Sequence, residues 1–329
     1  MQSFLLIPLF IASLCSALYP SSLVYQFPKG TWVENLAVRS SGTVLVTTIL
    51  PNAAVYEINP NSSTTPKVVA QFSSSLAALG ITETTPDTFY VVSNNVSTAT
   101  GAVAPGSNKI WRLSFPGPKV ALVSTVTNAS FLNGLTTLNS QTILAADATA
   151  GAVWAINTTS GAYKKVISDP LMSKPASEKV VGLNGLKITG STLYFTNTAQ
   201  KVFAKIPLNA DGTPTTSATK VASSTNVPVA NTESYDDFGL DKAGNTAYCV
   251  VGGGNVIQKV VLASGSTSIV AGNLNSTDLA EPTSGQFGRT TSDAGTLYVT
   301  TSGAINIPVY KNGVKYQDIG GQLVAVKTS

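Results

Sequence analysis

The sequence contains no histidine in its 329 residues, and only 11% of them are charged, against roughly 25% in an average soluble protein. The absence of histidine excludes Ser-His-Asp and Cys-His catalysis, histidine-ligated zinc and the commonest general base near neutral pH. The net charge of +4 is too small and too scattered for a nucleic-acid-binding surface. Any chemistry must therefore use carboxylates, amides, hydroxyls, amines or binding alone.

Cysteine is nearly absent as well, since the chain has only Cys15 and Cys249. Residues 1–17 have the short apolar core and small-residue end of a secretory signal peptide cleaved near Ala17, although a basic residue is missing at its start. A membrane anchor is the alternative for this segment. Cleavage leaves Cys249 without a disulfide partner, and its apolar surroundings predict a buried small side chain rather than a nucleophile. We expect residues 18–329 to form one secreted, soluble domain without a membrane anchor.

Five Asn-X-Ser/Thr motifs agree with passage through the secretory pathway, where such asparagines accept glycans. The chain is rich in serine and threonine, so some of these motifs arise by chance. The predicted glycosylation sites are Asn61, Asn95, Asn128, Asn157 and Asn275.

A β-rich segment that opens with threonine recurs six times, at spacings of 45 to 54 residues. Two strand-like segments precede each copy and one follows it, so each unit has four short strands. This pattern predicts an all-β, six-bladed β-propeller with four antiparallel strands per blade. Residues 23–27 have no blade before them and are predicted to close the ring as the outer strand of the last blade. A long β-sandwich or two stacked domains is the alternative. The repeated residues are Thr43, Thr88, Thr142, Thr192, Thr246 and Thr296.

In a propeller, the first residues of the six inner strands surround one mouth of the central channel. Counting back nine residues from each repeated threonine, or eight in the fourth unit, gives one residue per blade. The carboxylates and amides among them are oxygen donors suited to Ca²⁺. Asn133-Gly134 and Asn184-Gly185 have a second interpretation as hairpin turns. The predicted ring is Glu34, Leu79, Asn133, Asn184, Asp237 and Phe287.

Other residues are predicted to build walls around this ring. Three aromatic residues lie close to it in sequence, namely Trp32, Phe131 and Tyr235. They form either an apolar wall of the channel mouth or part of the core. Four segments are longer than blade turns require, at residues 94–107, 171–182, 223–234 and 302–317. We expect them to cover the pocket, because propeller insertions commonly shape binding surfaces; ordinary surface loops are the alternative.

The motifs VENLAV, GLNGLKI and YDDFGLD resemble those of the senescence marker protein, gluconolactonase and luciferin-regenerating enzyme family. The resemblance implies a six-bladed propeller with a divalent metal, here Ca²⁺, held by Glu34, Asn184 and Asp237. Asn133, in FLNGLTT, would contact the substrate. It also implies a lactonase or related hydrolase in which a carboxylate activates water. Leu79 and Phe287, however, make the predicted mouth more apolar than a sugar lactonase requires.

Longer motifs, among them TWVENLAVRSSGTVLVT and PTSGQFGRTTSDAGTLYVTTSG, are similar to a secreted fungal branch that includes the hetero-Diels-Alderases of tropolone sesquiterpenoid biosynthesis. This resemblance implies a cyclase that joins a tropolone-derived ortho-quinone methide to a humulene-type sesquiterpene. Such an addition needs neither histidine nor a cofactor, because its bond-forming step transfers no proton. A non-enzymatic, ligand-binding propeller is the remaining alternative.

The same resemblance suggests roles for the predicted site residues. We expect amides or a tyrosine hydroxyl to bind the quinone methide carbonyl, a carboxylate to assist dehydration, and apolar side chains to hold the terpene. The predicted catalytic residues are Asn133, Asn184, Asp237, Glu34 and Tyr235, and the predicted substrate-binding residues are Trp32, Leu79, Phe131 and Phe287.

Overall fold

The computed structural model describes residues 18–231 and 233–328, so the predicted signal peptide at residues 1–17 lies outside the described residues. In this part of the chain, six four-stranded antiparallel sheets form the blades of a propeller, named I to VI in chain order of their inner strands. The six blades confirm the fold predicted from the repeats. Among the described residues, no helix has both the length and the apolar character needed to cross a membrane.

The strands of blades I to III follow one another in sequence, from the inner to the outer edge of each sheet. After β1 (Ser21–Gln26), blade I contains β2 (Trp32–Val38), β3 (Val44–Leu50), β4 (Ala54–Ile58) and β5 (Lys67–Gln71); blade II contains β6 (Ala77–Thr85), β7 (Thr88–Asn94), β8 (Lys109–Ser114) and β9 (Lys119–Thr125); blade III contains β10 (Leu132–Asn139), β11 (Thr142–Asp147), β12 (Ala152–Asn157) and β13 (Tyr163–Ser168).

Blades IV and V repeat this order, and blade VI carries an additional hairpin, β24–β25. Blade IV contains β14 (Leu183–Thr189), β15 (Thr192–Asn197), β16 (Val202–Pro207) and β17 (Thr219–Ser223); blade V contains β18 (Tyr235–Leu240), β19 (Thr246–Val251), a 3₁₀ turn (Gly252–Gly254), β20 (Val256–Val261) and β21 (Thr267–Gly272); blade VI contains β22 (Pro282–Phe287), β23 (Thr296–Thr301), β24 (Val309–Lys311), β25 (Val314–Tyr316) and β26 (Gln322–Lys327).

The N-terminal strand closes the ring, as the sequence predicts. Strand β1 pairs antiparallel with β26, in a register that runs from Ser21 opposite Val326 to Gln26 opposite Gln322. The last blade therefore takes its outer strand from the start of the domain. This pairing joins the two ends of the domain and covers an edge of β26 that would otherwise be open to association.

Apolar side chains fill all six interfaces between neighbouring blades. The second strand of each blade is buried almost throughout, as in Val44–Leu50 of β3, because its two faces pack against different blades. Cys249 of β19 is fully buried in the interface of blades IV and V, which confirms its predicted place in the core. Burial raises its pKa well above the ordinary value, as expected for an inert thiol.

A bulge in the inner strands brings neighbouring blades into close contact at the channel axis. In β10, Leu132 pairs with Asp147 but Leu135 pairs with Ala145, so Asn133 and Gly134 together oppose one residue of β11. A Cβ atom at Gly134 would overlap the backbone carbonyl oxygen of Asn184. Glycine is required here because the next strand passes too close for a side chain. The Asn-Gly pairs of blades III and IV lie inside β10 and β14, so their interpretation as hairpin turns is wrong.

The predicted glycosylation sites differ in exposure. Asn61, Asn128 and Asn275 are exposed, whereas Asn95 and Asn157 are half-buried. The side-chain oxygen of Asn157 accepts hydrogen bonds from the backbone N–H groups of the turn that follows it. Glycan attachment at these five residues stays a prediction.

Candidate functional site

The strand register assigns the residues that surround the channel mouth. Four predicted ring residues occupy equivalent positions in blades I to IV, namely Glu34, Leu79, Asn133 and Asn184. Each lies two residues before the inner-strand residue that pairs with the third residue after the repeated threonine. These four predicted ring positions are confirmed. The equivalent residues are Asp236 in blade V and Thr283 in blade VI, so the predicted ring positions of Asp237 and Phe287 are wrong.

A cavity of about 400 Å³ opens at this end of the channel. Glu34, Leu79, Asn133, Asn184 and Asp236 line it. The four long segments also contribute, through residues 96–101, 179–181, 233–234 and 306, which confirms that they wall the pocket. Two of the three predicted wall aromatics line the cavity, namely Trp32 and Phe131.

Asn133 and Asn184 belong to a chain of hydrogen bonds that crosses three blades. Asn133 Nδ2 donates to Asn184 Oδ1 at 3.0 Å, and Asn184 Nδ2 donates to Thr198 Oγ1 at 3.1 Å. The Thr198 hydroxyl in turn donates to the backbone oxygen of Tyr235 at 2.6 Å. Because every donor points in the same direction around the ring, the two amides have fixed orientations. The second N–H of Asn133 and its Oδ1 are not used in this chain.

Glu34 is buried in the cavity wall, where its Oε2 accepts a 2.7 Å hydrogen bond from Trp32 Nε1. Burial raises the pKa of Glu34 to about 8, and the neighbouring carboxylates add to this effect, whereas the hydrogen bond from Trp32 opposes it. Burial also raises the pKa of Glu233 to about 7, with a contribution from Glu281. A carboxyl group that stays protonated near neutral pH is an uncharged hydrogen-bond donor.

Asp236 is the fourth oxygen-bearing ring residue and is half-buried in the same wall. Its pKa is raised well above the ordinary value by burial and then by the Glu34 carboxylate. The tandem acids of the YDDFGLD motif are the sequence signal for this residue. The count from the repeated threonine predicts the second acid of that pair, Asp237, at the ring, but the longer hairpin of blade V places Asp236 there instead.

Asp237 lies below the floor of the cavity instead of in its wall. Its Oδ2 accepts hydrogen bonds from Asn35 Nδ2 at 3.0 Å, Lys187 Nζ at 3.0 Å and Ser284 Oγ at 2.9 Å. Its Oδ1 accepts the backbone N–H of Phe238 at 2.8 Å. Asp237 therefore fixes the inner strands of four blades to one another, and its carboxylate is turned away from any ligand in the cavity.

Tyr235 and Phe287 also lie outside the cavity. Tyr235 is fully buried between blades IV and V, and its hydroxyl donates a hydrogen bond to Gln258 Oε1. Burial raises the pKa of this tyrosine, which fits a structural hydroxyl group. Phe287 ends β22 and packs against Tyr248, with ring centroids 5.2 Å apart. Their predicted places beside the channel mouth are wrong, because Tyr235 faces the blade interface and β22 is followed by a longer hairpin.

A second, smaller cavity of about 190 Å³ lies on the same axis, and its lining includes Leu135, Lys187 and Arg289. It shares no lining residue with the larger cavity. Arg289 pairs with Glu83, and Lys187 pairs with Asp237. The charged groups of this smaller cavity are thus already paired within the protein.

Two of the three predicted calcium ligands line the cavity, and calcium binding itself stays a prediction. Glu34 and Asn184 line the cavity, but the third predicted ligand, Asp237, pairs with Lys187 beneath it. Among residues 18–231 and 233–328, no group of three or more His, Cys, Asp or Glu side chains is arranged to hold a metal ion. The oxygen-bearing ring residues that line the cavity are Glu34, Asn133, Asn184 and Asp236.

Comparisons with known proteins agree with this fold, although no family model matches the chain. The chain is 25% identical over 308 residues to a protein of Phoma sp. named "Putative hetero-Diels-Alderase", covering 85% of this chain and 86% of that protein. It is 26% identical over 329 residues to "Putative hetero-Diels-Alderase asR5" of Sarocladium schorii, covering 88% and 79% of the two chains. These similarities support an enzymatic role.

Solved structures show the same propeller at much lower sequence identity. A luciferin-regenerating enzyme has a TM-score of 0.64 at 14% identity, covering 94% of this chain and 95% of its own. The calcium-binding protein regucalcin from Agrobacterium tumefaciens has a TM-score of 0.63 at 14% identity, with 94% and 96% covered. A structure described as that of a "putative gluconolactonase" has a TM-score of 0.62 at 13% identity, with 94% and 93% covered. This chain shares its fold with all three.

Proposed function

We propose that the protein catalyses a hetero-Diels-Alder cyclisation that joins a tropolone-derived ortho-quinone methide to a humulene-type sesquiterpene. The observation that carries this proposal is a histidine-free cavity in which apolar side chains and oriented hydrogen-bond donors face one another. The similarity to two proteins named as hetero-Diels-Alderases supports the same reaction class. Secretion through a signal peptide at residues 1–17 is part of the proposal.

The reaction suits a site without histidine. The quinone methide contributes its exocyclic carbon and its carbonyl oxygen, and the alkene contributes two carbons. One C–C bond and one C–O bond form as three π bonds reorganise, and no proton moves in this step. Alignment of two separate molecules is a large part of the barrier, and a cavity that holds both in contact removes much of it.

The polar residues of the cavity would accelerate the addition further. Charge accumulates on the quinone methide oxygen as the bonds form, so a hydrogen bond to that oxygen strengthens in the transition state. The unused N–H of Asn133 is one donor, and protonated Glu34 is a second. Because Trp32 donates to Oε2 of Glu34, Oε1 is left to carry the acidic proton. Both donors are preorganised, since neighbouring side chains already fix them.

The test uses the mature chain with a hydroxymethyl tropolone precursor and humulene, followed by chromatography on a chiral column. We expect the adduct to form faster than in buffer and as a single stereoisomer. Gln286→Ala, a change in the smaller cavity, is a matched control and should behave as the wild type. Adduct formed at the uncatalysed rate and as a racemate would contradict the proposal.

A second candidate is a calcium-dependent lactonase. It is favoured by the oxygen donors Glu34, Asn184 and Asp236, which share the cavity and would hold the cation. When bound, Ca²⁺ would polarise the ester carbonyl, and a neighbouring carboxylate would activate water. A lactone panel assayed with and without EDTA separates the candidates. Hydrolysis lost with EDTA and restored by Ca²⁺ supports the lactonase, whereas inertness in both assays favours a binding protein.

A further inference from the structure

The large cavity has two chemically different walls. Its apolar wall comes from blades I to III and the segment that follows them, and it consists of Ile49, Leu79, Val96, Phe131 and Val181. The first four are buried members of one core cluster, and Val181 packs against the same cluster. This wall is therefore the solvent-facing edge of a continuous hydrophobic core. The hydrogen-bonding side chains on the same side of the cavity are Trp32 and Glu34, which border blade VI, and those of residues 97, 98, 100 and 179 in the long segments.

The opposite wall comes from blades IV to VI and is rich in polar groups. It consists of Asn184, Thr198, Glu233, Asp236 and Asn306. Asn184 and Thr198 are oriented by the hydrogen bonds between them. Asn306 is held through its backbone N–H, which donates to the buried carboxylate of Glu281 at 3.1 Å. The side chains of Asn184 and Thr198 and the backbone at Asn306 thus have fixed positions before any ligand binds.

Asn133 stands at the boundary of the two walls. Its neighbour Leu132 belongs to the apolar cluster, whereas its own amide begins the hydrogen-bond chain through Asn184 to Thr198. A polar group bound at this boundary would touch hydrocarbon on one side and hydrogen-bonding groups on the other. The division around the channel axis therefore matches a pair of ligands of unlike polarity better than one uniform ligand.

We infer that the cavity binds two molecules side by side: an apolar hydrocarbon against the wall from blades I to III, and an oxygen-rich conjugated ring against the wall from blades IV to VI, with Asn133 at their contact. This assignment deepens the proposed function and rests on it for the identity of the two partners. It fixes the relative orientation of the partners, because each is held on its own side. Val181 and Asn306 become specificity-determining residues, one for each partner.

The experiment measures equilibrium binding by calorimetry with humulene and with tropolone, each alone and then together. Val181→Asn places an amide in the apolar wall, and Asn306→Leu removes an amide of similar size from the polar wall. Val181 is half-buried and Asn306 is exposed, so both variants should remain folded, and thermal unfolding of each variant checks this. We expect Val181→Asn to weaken humulene binding about tenfold and Asn306→Leu to weaken tropolone binding about tenfold, with less than about twofold change for the other ligand.

The outcomes separate this inference from the proposed function. Selective losses of affinity in the two variants, together with simultaneous binding of both ligands, support the assignment of one ligand to each wall. This support holds even if the wild type forms no adduct, because the absence of adduct contradicts only the proposed cyclase activity. Competition between humulene and tropolone for the cavity would overturn the assignment of one ligand to each wall. Equal losses of affinity for both ligands in each variant, or no binding of either ligand to the wild type, would overturn it as well. The wild-type adduct assay decides the proposed function independently in each of these cases.

Discussion

Lys187 and Asp237 form an ion pair between the two cavities of the channel, with 3.0 Å between Nζ and Oδ2. The Asp237 side chain is only 3% exposed and also accepts hydrogen bonds from Asn35 and Ser284. The floor of the larger cavity is thus supported by a charged group whose partners come from blades I, IV and VI. Ligand chemistry takes place above this floor, and the ion pair itself has a structural role.

Replacement of Lys187 by Met should destabilise the protein strongly. It leaves the buried Asp237 carboxylate without its cation, a change that typically costs about 3–5 kcal/mol. The measurement is the free energy of unfolding in urea at neutral pH. Lys164→Met is the matched control, because Lys164 lies 4.0 Å from Asp211 on the surface and both side chains are more than half exposed. Such exposed pairs contribute less than about 1 kcal/mol. Similar losses for the two variants would contradict the structural role.

The propeller itself could be predicted from the sequence because each blade repeats the same hydrophobic pattern, and the unpaired segment at residues 23–27 indicated how the ring closes. The ring of site residues was harder to predict from the sequence, because the residue at each ring position depends on the length of the hairpin between the first two strands of the blade. In each blade, the third residue after the repeated threonine pairs with a residue of the inner strand. The two paired residues are ten positions apart in the chain in blades I to III and nine in blade IV, but eleven in blade V and fourteen in blade VI. The count of nine residues back from the repeated threonine therefore selects Asp237 in place of Asp236, and Phe287 in place of Thr283.

Other features of the site have no local sequence signal. The hydrogen bonds from Asn133 to Asn184 and from Asn184 to Thr198 join residues of different strands, and only the curvature of the ring brings those strands together. Glu233 lies in a long loop with no repeat to place it. Tyr235 starts an inner strand, but strand alternation directs its ring into the blade interface, where Gln258 accepts its hydrogen bond.

Gly185→Ala should disrupt the cavity floor. A Cβ atom at Gly185 would lie 2.8 Å from the Cα of Asp237 and would overlap its carboxylate. Overpacking of this kind typically costs about 1–3 kcal/mol. Gly285→Ala is the control, since a Cβ there would be no closer than 3.4 Å to any neighbour. Thermal unfolding should show a clear loss for Gly185→Ala and little change for Gly285→Ala; equal unfolding temperatures would argue against the close packing of the inner strands.

Stability should fall as the pH rises through the titration range of Glu34. Its pKa is raised by burial from 4.5 to about 8, so the unfolded chain loses this proton at a lower pH than the folded protein does. Between these two values the folded state binds more protons, and the free energy of unfolding decreases with pH by up to about 1.4 kcal/mol per unit. Urea unfolding at about pH 5, 6, 7 and 8 measures this slope.

Glu34→Gln should make that slope shallower and should stabilise the protein relative to the wild type at the alkaline end of the range. Asp278→Asn, at an exposed carboxylate, should leave the slope unchanged and is the control. The slope should not disappear entirely, because burial also raises the pKa of Glu233 to about 7. A slope that is identical in the wild type and in Glu34→Gln would show that Glu34 does not retain its proton in the folded protein.

Asn133→Leu should reduce the rate of adduct formation while preserving the fold. The two side chains have similar volumes, but leucine cannot donate to the quinone methide oxygen or to Asn184 Oδ1, which now accepts from Asn133 at 3.0 Å. Loss of one preorganised donor typically lowers kcat about 10²-fold. Thr198→Val should have a smaller effect, since it releases Asn184 without removing the donor at Asn133. Gln286→Leu makes the same polar-to-apolar change in the smaller cavity and should retain the wild-type kcat. A wild-type kcat for Asn133→Leu would exclude Asn133 as the activating donor and would leave Glu34 to fill that role.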